Sequence, residues 1–303
     1  MEGIINLLKT PGMSSHDVVA KMRRLLGEKR IGHAGTLDPG AAGVLVLGVG
    51  KATRVLEYLL EQQKTYRFEL VLGVATTTED SFGEILTQKT GTIKREDLEA
   101  VLSEFMGPQK QIPPMASAIK VRGKKLYELF REGQEIAREP RDIIIYSLKI
   151  ISAPQLIHTG DKVLLEAQVS KGTYIRSLCK ALGERIGLPA HMGFLLRTAS
   201  GGLKIADSLL IEEIDSKMKT GQDFIIPADQ ILDFPVIRAL KGKEKALLNG
   251  QVLTAAEVEE NQLDSLIKNQ RVLVYTATNI FVGIYHFLGE DKPILKPEKI
   301  LIT

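Results

Sequence analysis

Cysteine is almost missing from this 303-residue chain: Cys179 stands alone. One thiol cannot close an internal disulfide, and a zinc site built on several thiolates is excluded. Long apolar runs are missing too. No window approaches the roughly 18 apolar residues a membrane helix needs. The opening stretch MEGIINLLKTPG has neither a basic segment nor a long apolar one. These absences lead us to expect a soluble chain without a signal peptide, in a reducing, cytoplasmic setting. Charge of one sign is scarce: the net value is +3, a balance that selects no partner by itself. The nucleotide motifs are absent as well. A P-loop ending at Gly50-Lys51 would need glycine at 45 and a hydroxyl residue at 52, where Leu45 and Ala52 stand. A dinucleotide fingerprint begun at Gly48 would end on Thr53. An EF-hand needs alternating acids, whereas Asp38 has no second acid nearby. We therefore expect no metal here.

What is present is ample core material, with 44% hydrophobic residues, and a length that suggests about two domains. SSHDVVAKMRRLLG (14–27) reads as a helix with a Ser14/Asp17 capping box and a Gly27 stop. VLVLGVG (44–50) reads as a buried strand. A short helix is expected over 52–63, and strands over 65–76, 143–151 and 162–170. REDLEAVLSEFMG (95–107) reads as a helix with Leu98, Val101, Leu102, Phe105 and Met106 on one face. TYIRSLCKALGERIG (173–187) reads as another, with Ile175, Leu178, Cys179, Leu182 and Ile186 inward. Helices and strands mix without a regular βαβ alternation, so the expected class is α+β with a largely antiparallel sheet. Residues 108–142, rich in proline and charge, are too long for an ordinary connection and read as an excursion with its own task. A boundary falls near 224–235. The short helix around 243–250 and strand-like runs over 271–278, 280–288 and 299–303 suggest a small β-rich second domain.

The stretch GHAGTLDPGAAG (32–43) surrounds a single carboxylate, Asp38, with glycines. Pro39 biases Asp38 toward an extended conformation, and glycines admit close backbone approach. Such an acid can be a nucleophile, a base, or the pivot of an Asx-type turn; spacing alone leaves all three open. Lys21, Arg23, Arg24, Lys29 and Arg30 precede it, and Lys120, Arg122, Lys124 and Lys125 cluster further on. Such clusters suit a phosphate backbone, or simply solvated faces.

Several ordered motifs carry a resemblance: KTPGMSSHDVV (9–19), GHAGTLDPGAAGVLVLGVGKATR (32–54), KTYRFELVLG (64–73), QIPPMASAIKVRGKKLYELFREG (111–133) and SKGTYIRSLCKALGERIG (170–187). Together they resemble the TruB family of bacterial tRNA pseudouridine synthases, which modify uridine 55 of the T-loop. The resemblance implies a pseudouridine-synthase fold, a mixed and largely antiparallel sheet flanked by helices. It also implies a cofactor-free isomerisation in which an extruded uridine is cut from its ribose, turned and rejoined through C5. Asp38 then corresponds to the family's nucleophile and Arg176 to the arginine that pairs with it. Tyr66 corresponds to the tyrosine stacked on the target base, whose hydroxyl family models place to accept the C5 proton. Tyr174 matches a second pocket aromatic and Leu195 an apolar wall. His33 matches a histidine that helps keep the target nucleotide out of its stack. Lys9 matches a lysine supporting the catalytic loop, although this chain reads KTPG with Thr10 where proline is usual. Lys120, Arg122, Lys124 and Lys125 would grip the RNA backbone. Residues 1–228 would be the catalytic domain with insertion 108–142, and 229–303 a PUA-like RNA-binding domain. The implied partner is the T-arm of tRNA; no membrane and no protein partner is implied, and a monomer is expected. A non-catalytic tRNA-binding or tRNA-folding protein on the same scaffold is the alternative. A nucleotide-dependent kinase is a further class, opposed by the missing phosphate motifs.

Overall fold

A computed structural model describes residues 1–117, 119–121, 123–134, 136–259, 262–289 and 293–301. Strand Ala42–Val49 shows how its layers form. All eight residues are buried, as an apolar run covered on both faces requires. Alternate side chains point to opposite faces. Leu45, Leu47 and Val49 join Val18, Val19 and Met22 of helix Ser15–Leu26. Val44 and Val46 join Val55, Leu56 and Leu59 and, from far along the chain, Leu232, Leu273 and Ile284. The helix itself begins as its sequence predicts. Ser14 Oγ accepts the Asp17 N–H at 3.1 Å, the Asp17 carboxylate accepts the Ser14 N–H at 2.9 Å, and Gly27 closes the helix at φ +63°.

Among the described residues the main sheet has nine strands. Its path runs Gly3–Lys9, Ala42–Val49, Ala190–Ser200, Lys64–Leu72, Lys162–Val169, Arg141–Ser152 and Gly107–Gln111. Strand Ile31–Ala34 also pairs with Ala42–Val49, and Leu203–Lys204 with Ala190–Ser200. Along that path the pairings are antiparallel apart from Ala42–Val49 with Ala190–Ser200, which run parallel. Helices Arg95–Glu104 and Ile175–Ile186 cover the other half of the sheet, over Phe68, Leu70, Leu72, Val163 and Leu165. A second, five-stranded sheet follows, in the order Val236–Arg238, Arg271–Tyr275, Phe281–Phe287, Ile294–Ile300, Leu253–Thr254. Its own core contains Ile237, Leu247, Val272, Tyr285, Phe287 and Leu295. The fold is the expected α+β with a largely antiparallel main sheet, followed by a small β-rich C-terminal unit.

Several local expectations shift. Met106 does not join the buried face of its helix, which ends at Glu104; it is exposed. Gly107–Gln111 is no part of the excursion: it pairs with Arg141–Ile145 as the edge of the main sheet. The excursion is thus 112–140, with a hairpin of Lys120–Val121 and Lys124–Lys125 and a short helix Leu126–Arg131. A small apolar cluster of Met115, Leu126 and Leu129 holds it together. Among the described residues the last strand is Ile294–Ile300, which overlaps the expected 299–303; residues 302 and 303 lie outside the described residues. Strands Gly3–Lys9 and Ile31–Ala34 were not among the expected elements; both form by pairing with Ala42–Val49.

Candidate active site

Three strands bring their ends to one place. The parallel pairing sets Arg197 opposite Gly43, and the antiparallel one sets Arg197 opposite Tyr66 and Leu195 opposite Phe68. The loop before Ala42–Val49 carries Asp38, and the first turn of helix Ile175–Ile186 carries Arg176. A pocket of about 330 Å³ opens between them, lined by Asp38, Lys64, Tyr66, Tyr174, Arg176, Leu195 and Arg197 together with neighbouring backbone.

The Asp38 loop is fixed from beneath. Lys9, fully buried, donates from Nζ to the carbonyls of Ala41 at 2.7 Å, Thr10 at 3.2 Å and Pro39 at 3.3 Å. Ser15 Oγ both accepts the Leu37 N–H, at 2.9 Å, and donates to the Leu37 carbonyl, at 3.0 Å. Arg197, also buried, donates to the carbonyls of Val44 at 2.7 Å and Gly35 at 3.0 Å. Gly43 is required here. Its φ is +117°, and a Cβ on it would lie 2.2 Å from the Arg197 carbonyl oxygen.

Arg176 is the electrostatic centre. Its side chain is 5% exposed, and its Nη2 stands 3.1 Å from Asp38 Oδ2. A buried guanidinium needs several partners to offset its desolvation. Arg176 also donates to the carbonyls of Ala116 at 2.9 Å and Thr78 at 3.3 Å, and lies 4.0 Å from Asp80 Oδ2. The Asp38 side chain is 41% exposed and lines the pocket, while the Arg176 side chain beside it is buried. Burial dominates the titration of the floor. It pushes Lys9 down to about 8, against the attraction of Asp38. It pushes Lys64 down to about 8 as well, with Arg197 adding repulsion. Burial raises the Tyr174 phenol.

The structure thus brings Asp38, Tyr66, Tyr174, Arg176 and Leu195 to one pocket, and sets Lys9 directly under it. His33 lies outside that lining. It sits on strand Ile31–Ala34, edge-to-face with His16 at 5.6 Å, and burial, then His16 and Arg197, lower its pKa. Lys124 lies on the excursion's hairpin, paired with Glu132 at 3.1 Å. Arg122 lies outside the described residues, and so do the side chains of Lys120 and Lys125. Among the described residues no group of three or more His, Cys, Asp or Glu is placed to hold a metal, and no helix is long and apolar enough to cross a membrane.

Sequence reading missed three contributors. Lys64 shares the pocket with Tyr66, two residues on, so the period-two alternation of KTYR could have found it. Arg197 stands in the same relation to Leu195. Asp80 had no local signal: it reaches Arg176 only because the turn that carries it bridges to Met192.

The TruB family of pseudouridylate synthases, through its N-terminal domain, matches residues 23–175. The tRNA pseudouridine synthase B of Pelotomaculum thermopropionicum is 46% identical over 268 residues, 87% of this chain and 85% of that protein. The protein of the same name from Bacillus subtilis is 39% identical over 309 residues, 100% of this chain and 98% of its own. Among solved structures, a chain of a Cbf5-Nop10-Gar1 complex superposes with a TM-score of 0.75 at 26% identity, covering 98% of this chain and 84% of that one. Identity at this level along nearly the whole length, over a fold of the same kind, makes this chain a member of the TruB family of pseudouridylate synthases.

Proposed function

We propose that the chain isomerises the T-loop uridine 55 of tRNA to pseudouridine, with Asp38 as nucleophile. The relatives' shared name supports tRNA as the substrate. The single observation that carries the chemistry is the Asp38–Arg176 pair, 3.1 Å apart, at a pocket that two tyrosines line. A nucleophilic carboxylate must be ionised, fixed and reachable. Arg176 sets a guanidinium 3.1 Å from the carboxylate, Lys9 and Ser15 fix the backbone on either side, and the exposed face of Asp38 is the reachable one. The substrate must leave its stack, at a cost of a few kcal/mol. The Tyr66 ring offers the freed base a face, with Tyr174 and Leu195 as walls. Asp38 attacks at C1′ of the ribose or C6 of the base, and the carboxylate departs again. The N1–C1′ bond breaks, a C5–C1′ bond forms, and the C5 proton is lost as N1 gains one. Nothing is oxidised or reduced.

The same proposal assigns residues 1–228 to catalysis, 112–140 with Lys120, Arg122, Lys124 and Lys125 to gripping the T-arm backbone, and 229–303 to RNA binding. His33 holds the gap left by the extruded nucleotide. The enzyme acts as a cytoplasmic monomer. The test is tritium release from C5-labelled uridine in a T-arm stem-loop. We expect release by the wild type and none above background by Asp38→Ala. Equal release by both would remove Asp38 from the chemistry, and a wild type that binds the RNA without release would favour a binding protein.

A further inference from the structure

Phe82 is an aromatic residue in an unusual setting. Its side chain is 77% exposed, yet the turn that presents it is heavily bonded. Thr76 Oγ1 donates to the Asp80 carbonyl at 2.6 Å, and the Thr77 N–H to the Glu84 carbonyl at 2.9 Å. The Phe82 N–H itself is held by Asp80 Oδ1 at 3.0 Å. That carboxylate is the one whose other oxygen lies 4.0 Å from Arg176. Glu79 adopts φ +62°, a conformation that a non-glycine residue keeps only where its surroundings hold it. Its carboxylate accepts from Ser177 Oγ at 2.9 Å and Lys180 Nζ at 3.4 Å, both on the helix that carries Arg176. The ring rests on Gly40, two residues beyond Asp38: a Cβ there would lie 2.2 Å from Phe82 Cε2 and 2.4 Å from Cζ. The turn therefore indexes an open phenyl face to the Asp38–Arg176 pair.

We propose that Phe82 is a stacking platform for a nucleobase next to the uridine that enters the pocket. This rests on reading the chain as an RNA uridine isomerase. Any partner covering Phe82 must share the pocket rim with the RNA, so the RNA itself is the occupant that fits without competition. Stacking asks only for a π-face and tolerates any base. It also supplies binding at the point where extrusion costs it. Ile85 and Leu86 are exposed on the same hairpin.

The test measures T-arm stem-loop binding in an Asp38→Ala background, where no product forms, and KM and kcat in the active enzyme. Phe82→Ala should weaken binding roughly 5- to 150-fold, the range of one base–aromatic stack. It should raise KM more than it lowers kcat. Phe82→Trp should restore affinity and Phe82→Leu should not, which separates stacking from mere apolar packing. Wild-type affinity in Phe82→Ala, or full rescue by leucine, overturns the platform while leaving tritium release and the isomerase reading intact. Conversely, a wild type that releases no tritium but binds the RNA in a Phe82-dependent way overturns the isomerase reading alone. No binding by the wild type sinks both.

Discussion

The loop around Asp38 and the excursion over 112–140 are both irregular stretches between strands, yet they are held in opposite ways. The Asp38 loop has its carbonyls bound by side chains from three other parts of the chain: Lys9, Ser15 and Arg197. The excursion adds a small core of its own, Met115, Leu126 and Leu129, and bonds such as Leu126 N–H to Ile119 O at 2.8 Å and Arg138 Nη1 to Pro113 O at 3.0 Å, while the body reaches it through Arg176 Nη2 donating to the Ala116 carbonyl at 2.9 Å. On the proposed reading, covalent chemistry at Asp38 would need a reacting atom placed within a fraction of an ångström, which the bonds from the body would supply. A grip on an RNA backbone would need reach and charge, which a small local core can support.

Gly43→Ala should strike the first arrangement hardest. The left-handed backbone and the 2.2 Å approach to the Arg197 carbonyl both resist a methyl group. We expect a loss of about 2–4 kcal/mol in urea unfolding. A loss below about 1 kcal/mol would mean that the loop yields easily, and the contrast would vanish. Leu126→Ala probes the second arrangement. A buried leucine in a shared core costs about 2–5 kcal/mol when truncated. Because this cluster is separate, global stability should fall by less than about 1 kcal/mol while proteolysis within 112–140 accelerates. A full core-sized global loss would show that excursion and body unfold together. A third probe is the pH dependence of Lys9→Met. Below about pH 8 Lys9 is charged in both folded and unfolded chains. Between about 8 and its ordinary 10.5 the folded chain has released the proton and the unfolded chain has not. Folding stability from Lys9 therefore rises with pH through that window. Wild type should gain on Lys9→Met between pH 8 and 10 in parallel urea titrations. A gap that stays level would place the ammonium in a better-solvated site.

How legible was this in the sequence? Helix Ser15–Leu26 was readable to its caps, because Ser14, Asp17 and Gly27 act within a few residues. Strand Ala42–Val49 was readable because burial on both faces demands an unbroken apolar run. The candidate site was a different matter. Spacing could not distinguish Asp38 from a turn residue; only the resemblance raised it. Lys64 and Arg197 were within reach of the period-two alternation with Tyr66 and Leu195, whereas Asp80 stayed hidden because its turn reaches Arg176 through a bridge to Met192. Pairings across more than a hundred residues leave no local mark. Ile31–Ala34, half glycine and histidine, is a strand only because Val46–Val49 offers it an edge.

Val44 and Val46 stand just behind the Asp38 loop, and their cluster includes Leu232, Leu273 and Ile284 of the tail. A polypeptide released before its last strands would leave that grease wet, within a few residues of the acid. Such a fragment would be sticky and catalytically misshapen at once, so incomplete synthesis yields something the cell can recognise as waste instead of a half-competent modifier loose among its RNAs.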